Sequence, residues 1–134
     1  MPNPELELQK AIVDRLKADT AVAALVNGRI YDSVPQAATF PYVSLGPCQT
    51  IDIRAECIAG LEIFQQLDAW SRGVGYPEVK KIADAVRAAL DDAPLALPTN
   101  GLVFIECEDS NTSRDPDGLT SHSRLNVRAS VERQ

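Results

Sequence analysis

From Ser121 to Glu132 the side chains alternate without interruption. Leu125, Val127, Ala129 and Val131 hold one set of positions, and Arg124, Asn126, Arg128, Ser130 and Glu132 hold the other. A period of two belongs to a β-strand with one dry and one wet face. That pattern requires a sheet covered on one side only, which antiparallel sheets provide and parallel sheets rarely do. Immediately upstream lies Ser113-Arg114-Asp115-Pro116-Asp117-Gly118-Leu119-Thr120, a tight polar turn in which Pro fixes φ and Gly accepts φ > 0. Turn and strand together predict a stiff hairpin that projects Arg114, Asp115 and Asp117, an arrangement suited to docking between proteins.

The remaining segments supply the other elements. Asn3 and Pro4 are an N-cap and first helical residue, and Leu8, Ile12 and Leu16 fall on one face of the helix that follows. Thr20 is expected to cap a short helix over Ala21 to Val26, closed by Asn27-Gly28. Arg29 to Pro41 reads as an extended crossing segment. Tyr42 to Gly46 reads as a short strand, interrupted by Pro47 and continued over Cys48 to Arg54 as an edge strand or bulge. Ala59-Gly60 is expected to be a turn. Leu61 to Ser71 is a long strand with Leu61, Ile63, Leu67 and Ala69 on one face and Glu62, Phe64, Gln66, Asp68 and Trp70 on the other. Two large aromatics on a mostly polar face imply cover by another segment or by a partner, so Phe64 and Trp70 join the candidate partner-binding residues. Phe40 and Tyr42 are expected in the core. Pro77-Glu78 opens the strongest helix, with Val79, Ile82, Ala83, Val86, Ala89 and Leu90 as its buried stripe. A strand over Leu102 to Asp109, with Val103, Ile105 and Cys107 on one side, precedes the final hairpin. The fold class is α+β: a largely antiparallel sheet of about four to five strands with two main helices packed on one face. The 134 residues suit a single domain spanning 1–134.

Chemistry is thinly signalled. His122, the one histidine, reads as a solvated loop residue. Nucleophile-elbow and phosphate-loop motifs are absent. Asp115-x-Asp117-Gly118 resembles part of a calcium loop, but Gly118 at its sixth position puts Ser113 first and Arg124 twelfth, where acids are required. Glu106 and Glu108 share a strand face as an exposed acidic pair. No catalytic, cofactor-binding or metal residue is assigned. The net charge of −6 opposes tight binding to nucleic acid. Three widely spaced cysteines predict reduced thiols rather than a disulfide framework. The N-terminal residues lack the pattern of a signal peptide, and no apolar run is long enough to span a bilayer, so no membrane partner is expected.

Several segments, taken in order, resemble one known family. They are Gly28-Arg29-Ile30-Tyr31-Asp32-Ser33-Val34-Pro35, Phe40-Pro41-Tyr42-Val43-Ser44-Leu45-Gly46, Trp70-Ser71-Arg72 followed by Gly75-Tyr76, the helix Val79 to Leu90, and Arg114 to Thr120. The chain is similar, from about Leu6 to Val131, to the tail completion or tail terminator proteins of long-tailed phages, prophages and gene transfer agents. The resemblance implies a structural virion protein without cofactor, located at the head-proximal end of the tail after assembly in the host cytoplasm. It implies a ring, expected to be a hexamer of itself, that stops tail tube polymerisation and offers a docking surface to the head connector. DNA would pass through the lumen without specific binding. Two other readings are a head–tail adaptor joining connector and tail, and, more remotely, a small hydrolase using Asp115, Asp117 and His122.

Overall fold

The computed structural model describes residues 3–55 and 58–133. Its first helix, α1 (Pro4–Ala18), starts where the Asn3 side chain accepts from the backbone N–H groups of Glu5 at 2.8 Å and Leu6 at 3.3 Å, satisfying donors that no helical carbonyl can reach. The second, α2 (Thr20–Val26), is capped by Asp19, which accepts from Val22 N at 3.0 Å. The expected cap Thr20 is instead the first helical residue, because Asp19 already sits in the extended conformation a cap requires. Asn27 (φ 51°) and Gly28 (φ 76°) then turn left-handed and end the helix.

Five strands follow: β1 (Ile30–Tyr31), β2 (Tyr42–Ala55), β3 (Ile58–Ser71), β4 (Gly101–Arg114) and β5 (Ser121–Glu132), with α3 (Pro77–Leu90) between β3 and β4. They form one sheet in the order β1-β2-β3-β5-β4. Among the described residues only the short β1–β2 pairing is parallel. The α+β class is thus borne out, with α1 and α3 as the main helices and α2 as a short third.

The helical stripes meet the inward strand positions in one core. Leu8, Ile12 and Leu16 of α1, Val22 and Val26 of α2, and Val79, Ile82, Val86 and Leu90 of α3 are all buried there. The sheet contributes Val43, Leu61, Ile63, Leu67, Ala69, Ile105, Cys107, Leu125, Val127, Ala129 and Val131. The helices therefore cover one face, and the alternate residues of β2 to β5 form a second face with no helix on it among the described residues.

The register corrects several expectations. Ala59 and Gly60 are not a turn: they lie within β3, opposite Arg54 and Ile53. Cys57 lies outside the described residues. β2 runs through Pro47 as one strand, absorbing an extra residue in a bulge between Leu45 and Cys48. The Gln65 amide donates to the Gly46 carbonyl at 3.0 Å and fixes that bulge. β4 extends past Asp109 to Arg114, because pairing with β5 supplies what its polar sequence does not. A bulge between Leu102 and Phe104 turns Val103 out to 57% exposure, away from Ile105 and Cys107. A second, between Cys107 and Asp109, breaks the expected Glu106–Glu108 pair, since Asp109 follows Glu106 on the helix-free face.

The outer edge of β4 is partly sealed by the end of α3. Asp91 accepts from Cys107 N at 2.7 Å, Asp92 N donates to the Ile105 carbonyl at 2.9 Å, and Arg87 donates to the Cys107 carbonyl at 3.2 Å. These bonds satisfy edge groups that would otherwise pair with a foreign strand.

Candidate functional site

The turn between β4 and β5 is built by its own backbone. Asp115 N donates to the Thr120 carbonyl at 2.8 Å, Gly118 N donates to the Asp115 carbonyl at 3.0 Å, and Gly118 takes φ 72°. Asp117 folds back over the turn. Its Oδ1 accepts from Leu119 N at 2.8 Å and Thr120 N at 2.9 Å, and its Oδ2 accepts from the Thr120 hydroxyl at 2.8 Å. The backbone donors of Thr120 and Leu119 hold the Asp117 carboxyl below the ordinary aspartate range. Asp117 therefore rigidifies the hairpin, while the exposed Arg114 and half-buried Asp115 stand at the strand end.

The hairpin is fastened to the loop between β3 and α3. The Arg114 guanidinium lies 4.6 Å from the centre of the Tyr76 ring, whose other cationic neighbour is Lys80 at 5.4 Å. Arg72 lies 4.3 Å from the Phe40 ring and donates to the buried Thr120 hydroxyl at 3.2 Å. Arg72, Gly73, Val74, Gly75, Arg114, Gly118, Leu119 and Ser121 line a shallow groove at this end. Val74 is fully exposed and Leu119 is 67% exposed.

The helix-free face carries the second group. Strand register puts Tyr42, Trp70, His122 and Ser113 in one row across β2, β3, β5 and β4. The rings stand as a ladder: Trp70 and His122 are stacked 3.9 Å apart at 7°, Tyr42 lies 6.4 Å from Trp70, and Tyr31 lies 5.7 Å from Tyr42. Phe40 is 5.0 Å from Tyr42. Phe40 and Tyr42 thus belong to this face and not to the core, since Val43, the neighbour of Tyr42, takes the inward position. His122 is not a solvated loop residue. It sits in β5 with its Nε2 2.6 Å from Oδ1 of the buried Asp68, so ring stacking and the carboxylate fix it together. Trp70 donates its indole N–H to the Ser44 hydroxyl at 2.9 Å.

Phe64 lies on the same face as Trp70 but six residues away along β3, about 20 Å at ordinary strand rise. It is half-buried between Gln49 and Arg128. Arg128 pairs with Glu62 and with Glu106 and lies 5.0 Å from the Phe104 ring. The hydrogen bond to Glu62 is the main cause that pushes the guanidinium pKa still higher. The five expected partner-binding residues therefore form two groups: Arg114, Asp115 and Asp117 on the hairpin, Phe64 and Trp70 on the sheet. The exposed pair Val74 and Leu119 was not among the expected residues. The available signal was an aliphatic residue between two glycines, Gly73-Val74-Gly75, with no periodic element to bury it.

The arrangement offers little for reaction chemistry. Burial raises the Cys48 thiol to about 11 and the Cys107 thiol to about 12, so both stay protonated and weakly nucleophilic. Among the described residues no three His, Cys, Asp or Glu side chains converge to hold a metal ion. Asp117 is turned onto its own loop and His122 onto Asp68. No helix among the described residues is long and apolar enough to cross a membrane.

Comparison with known proteins gives concordant matches. The family model described as tail completion protein gp17 matches residues 10–132. Tail completion protein gp17 of Bacillus phage SPP1 is 26% identical over 124 residues, covering 92% of this chain and 91% of the relative. A chain in the solved virion of a native gene transfer agent particle is 32% identical, with a TM-score of 0.86, covering 93% of this chain and 94% of that one. The solved structure of SPP1 gp17 shares the fold with a TM-score of 0.63 at 24% identity, covering 92% and 88%.

Proposed function

Because the chain belongs to the tail completion protein gp17 family, structural proteins of the virion tail and not enzymes, we propose that it forms a ring at the head-proximal end of the tail tube. The ring stops tube polymerisation and presents a docking surface to the head connector. The observation that carries this reading is the match to a chain of a native gene transfer agent virion along nearly the whole length of both chains.

Physical features of the chain support it. A closed ring needs two different patches on each subunit, so that each copy docks head-to-tail on the next. This subunit has two unlike candidates, the helix-free sheet face and the hairpin end with its exposed Val74 and Leu119. A conduit for DNA has to let the polyanion slide, and a subunit of net charge −6 offers it no general grip. The proposed ring is a hexamer, the number that the family resemblance implies.

Deleting the gene in the producing strain and imaging the lysate tests the reading. Tails of uncontrolled length together with unattached heads are expected. Tails of normal length that fail to join heads would instead assign the chain to a head–tail adaptor, and normal joined particles would refute both roles.

A further inference from the structure

The end of the molecule formed by the β3–α3 loop and the β4–β5 hairpin holds a combination that the fold does not require. Two arginines are fixed in place by aromatic rings, Arg72 on Phe40 at 4.3 Å and Arg114 on Tyr76 at 4.6 Å. Ring stacking removes much of the side-chain freedom that a surface arginine normally loses only on binding. Yet neither guanidinium forms an ion pair among the described residues, although the chain carries 19 acidic side chains against 13 basic ones. Asp117 stands near enough for the charge of Arg72 to act on it, but outside ion-pair distance of both guanidiniums. Asp117 is bonded to Leu119 and Thr120. Between the arginines stand Val74, wholly exposed, and Leu119, 67% exposed, in the same groove.

Preorganised cations beside aliphatic side chains specify their ligand. The free guanidinium edges call for carboxylates or phosphates, since both accept paired N–H bonds. Val74 and Leu119 call for apolar cover, which a phosphate backbone does not supply. The whole-chain charge of −6 also disfavours a polyanion at long range. We propose that this end docks a protein surface in which carboxylates flank an aliphatic or aromatic side chain. That side chain covers Val74 and Leu119, and the carboxylates take Arg72 and Arg114. The inference rests on the tail-protein reading and names the chemistry of one partner contact within it.

The test uses particles purified from a strain lacking the chain as the probe. Purified protein is added, and binding is read by co-sedimentation. Wild type is expected to bind, and to bind less as salt rises, because exposed ion pairs are screened. Val74→Asp combined with Leu119→Asp alters only exposed side chains. It should leave the melting temperature unchanged and weaken co-sedimentation by about ten-fold or more, the scale of losing a central apolar contact and opposing the partner's carboxylates. Arg114→Gln should weaken it while also flattening the salt dependence. Wild-type binding by the doubly substituted protein would overturn this contact and leave the tail reading standing. Binding of a labelled DNA duplex by wild type, weakened by Arg114→Gln, would overturn it in favour of a nucleic-acid surface. Failure of wild type to bind any particle component would overturn the tail reading together with the contact.

Discussion

Leu67 and Phe64 lie on opposite faces of the same strand, and their truncation separates the core face of the sheet from its helix-free face. Leu67 is fully buried at the centre of β3, level with Leu45 on β2 and Leu125 on β5. Leu67→Ala removes three heavy atoms from a close-packed site and leaves a cavity, a change that costs roughly 2–5 kcal/mol, or about 3 in mid-range. With an unfolding entropy near 2.1 cal/mol/K per residue, 134 residues give about 0.28 kcal/mol/K, so Tm should fall by about 11 °C. Phe64 is only half-buried, between Gln49 and Arg128, with no helix above it among the described residues. Full burial of a phenylalanine is worth roughly 1.5–3 kcal/mol, and about half of that without a cavity penalty gives about 1 kcal/mol. Phe64→Ala should then lower Tm by about 4 °C. Differential scanning calorimetry or circular dichroism melts of the two variants decide the matter. A fall for Phe64→Ala as large as that for Leu67→Ala would mean that the outer face is itself a packed core.

Other expectations follow from named contacts. Trp70 is the one tryptophan, so its emission reports on the ring ladder. His122→Ala should shift that emission and cost about 1–3 kcal/mol in urea unfolding, because it removes a partner from the buried Asp68. In a Cys57→Ser variant no thiol should react quickly with a disulfide reagent at pH 8 until urea is added, since Cys48 and Cys107 are raised to about 11 and 12. The sign of their linkage is fixed: the unfolded thiols ionise near pH 8.5 while the folded ones do not, so stability should fall as pH rises from there. Asp117 is shifted the other way. Its contribution is present above the ordinary aspartate pKa near 3.9 and is lost as pH falls below it. Urea midpoints between pH 6 and pH 3 should therefore drop more steeply for wild type than for Asp117→Asn.

Much of the fold was legible because hydrophobic period and caps agree locally. The alternation of β5 matched its observed limits, Ser121 and Glu132, and Pro77 and Leu90 bounded α3 as read from its stripe. What was hidden depended on neighbours in the sheet. Asp109 to Arg114 contains no apolar side chain, and it is a strand only because β5 lies beside it. Pro47 suggested a break, but a bulge accommodates it on a strand paired there on one side. The row Tyr42–Trp70–His122 joins residues 28 and 52 positions apart, so register alone brings them together. The charged hairpin was visible at once, whereas the inward turn of Asp117 and the aromatic seats of Arg72 and Arg114 required the tertiary structure.

The most direct test of the tail-end role is cryo-electron microscopy of the producing particle, with density assigned by this fold. A ring of copies at the head-proximal end of the tube, one layer deep, is the expected result. Particles of normal form in which the chain is absent, or in which it occupies the far end of the tail, would contradict it.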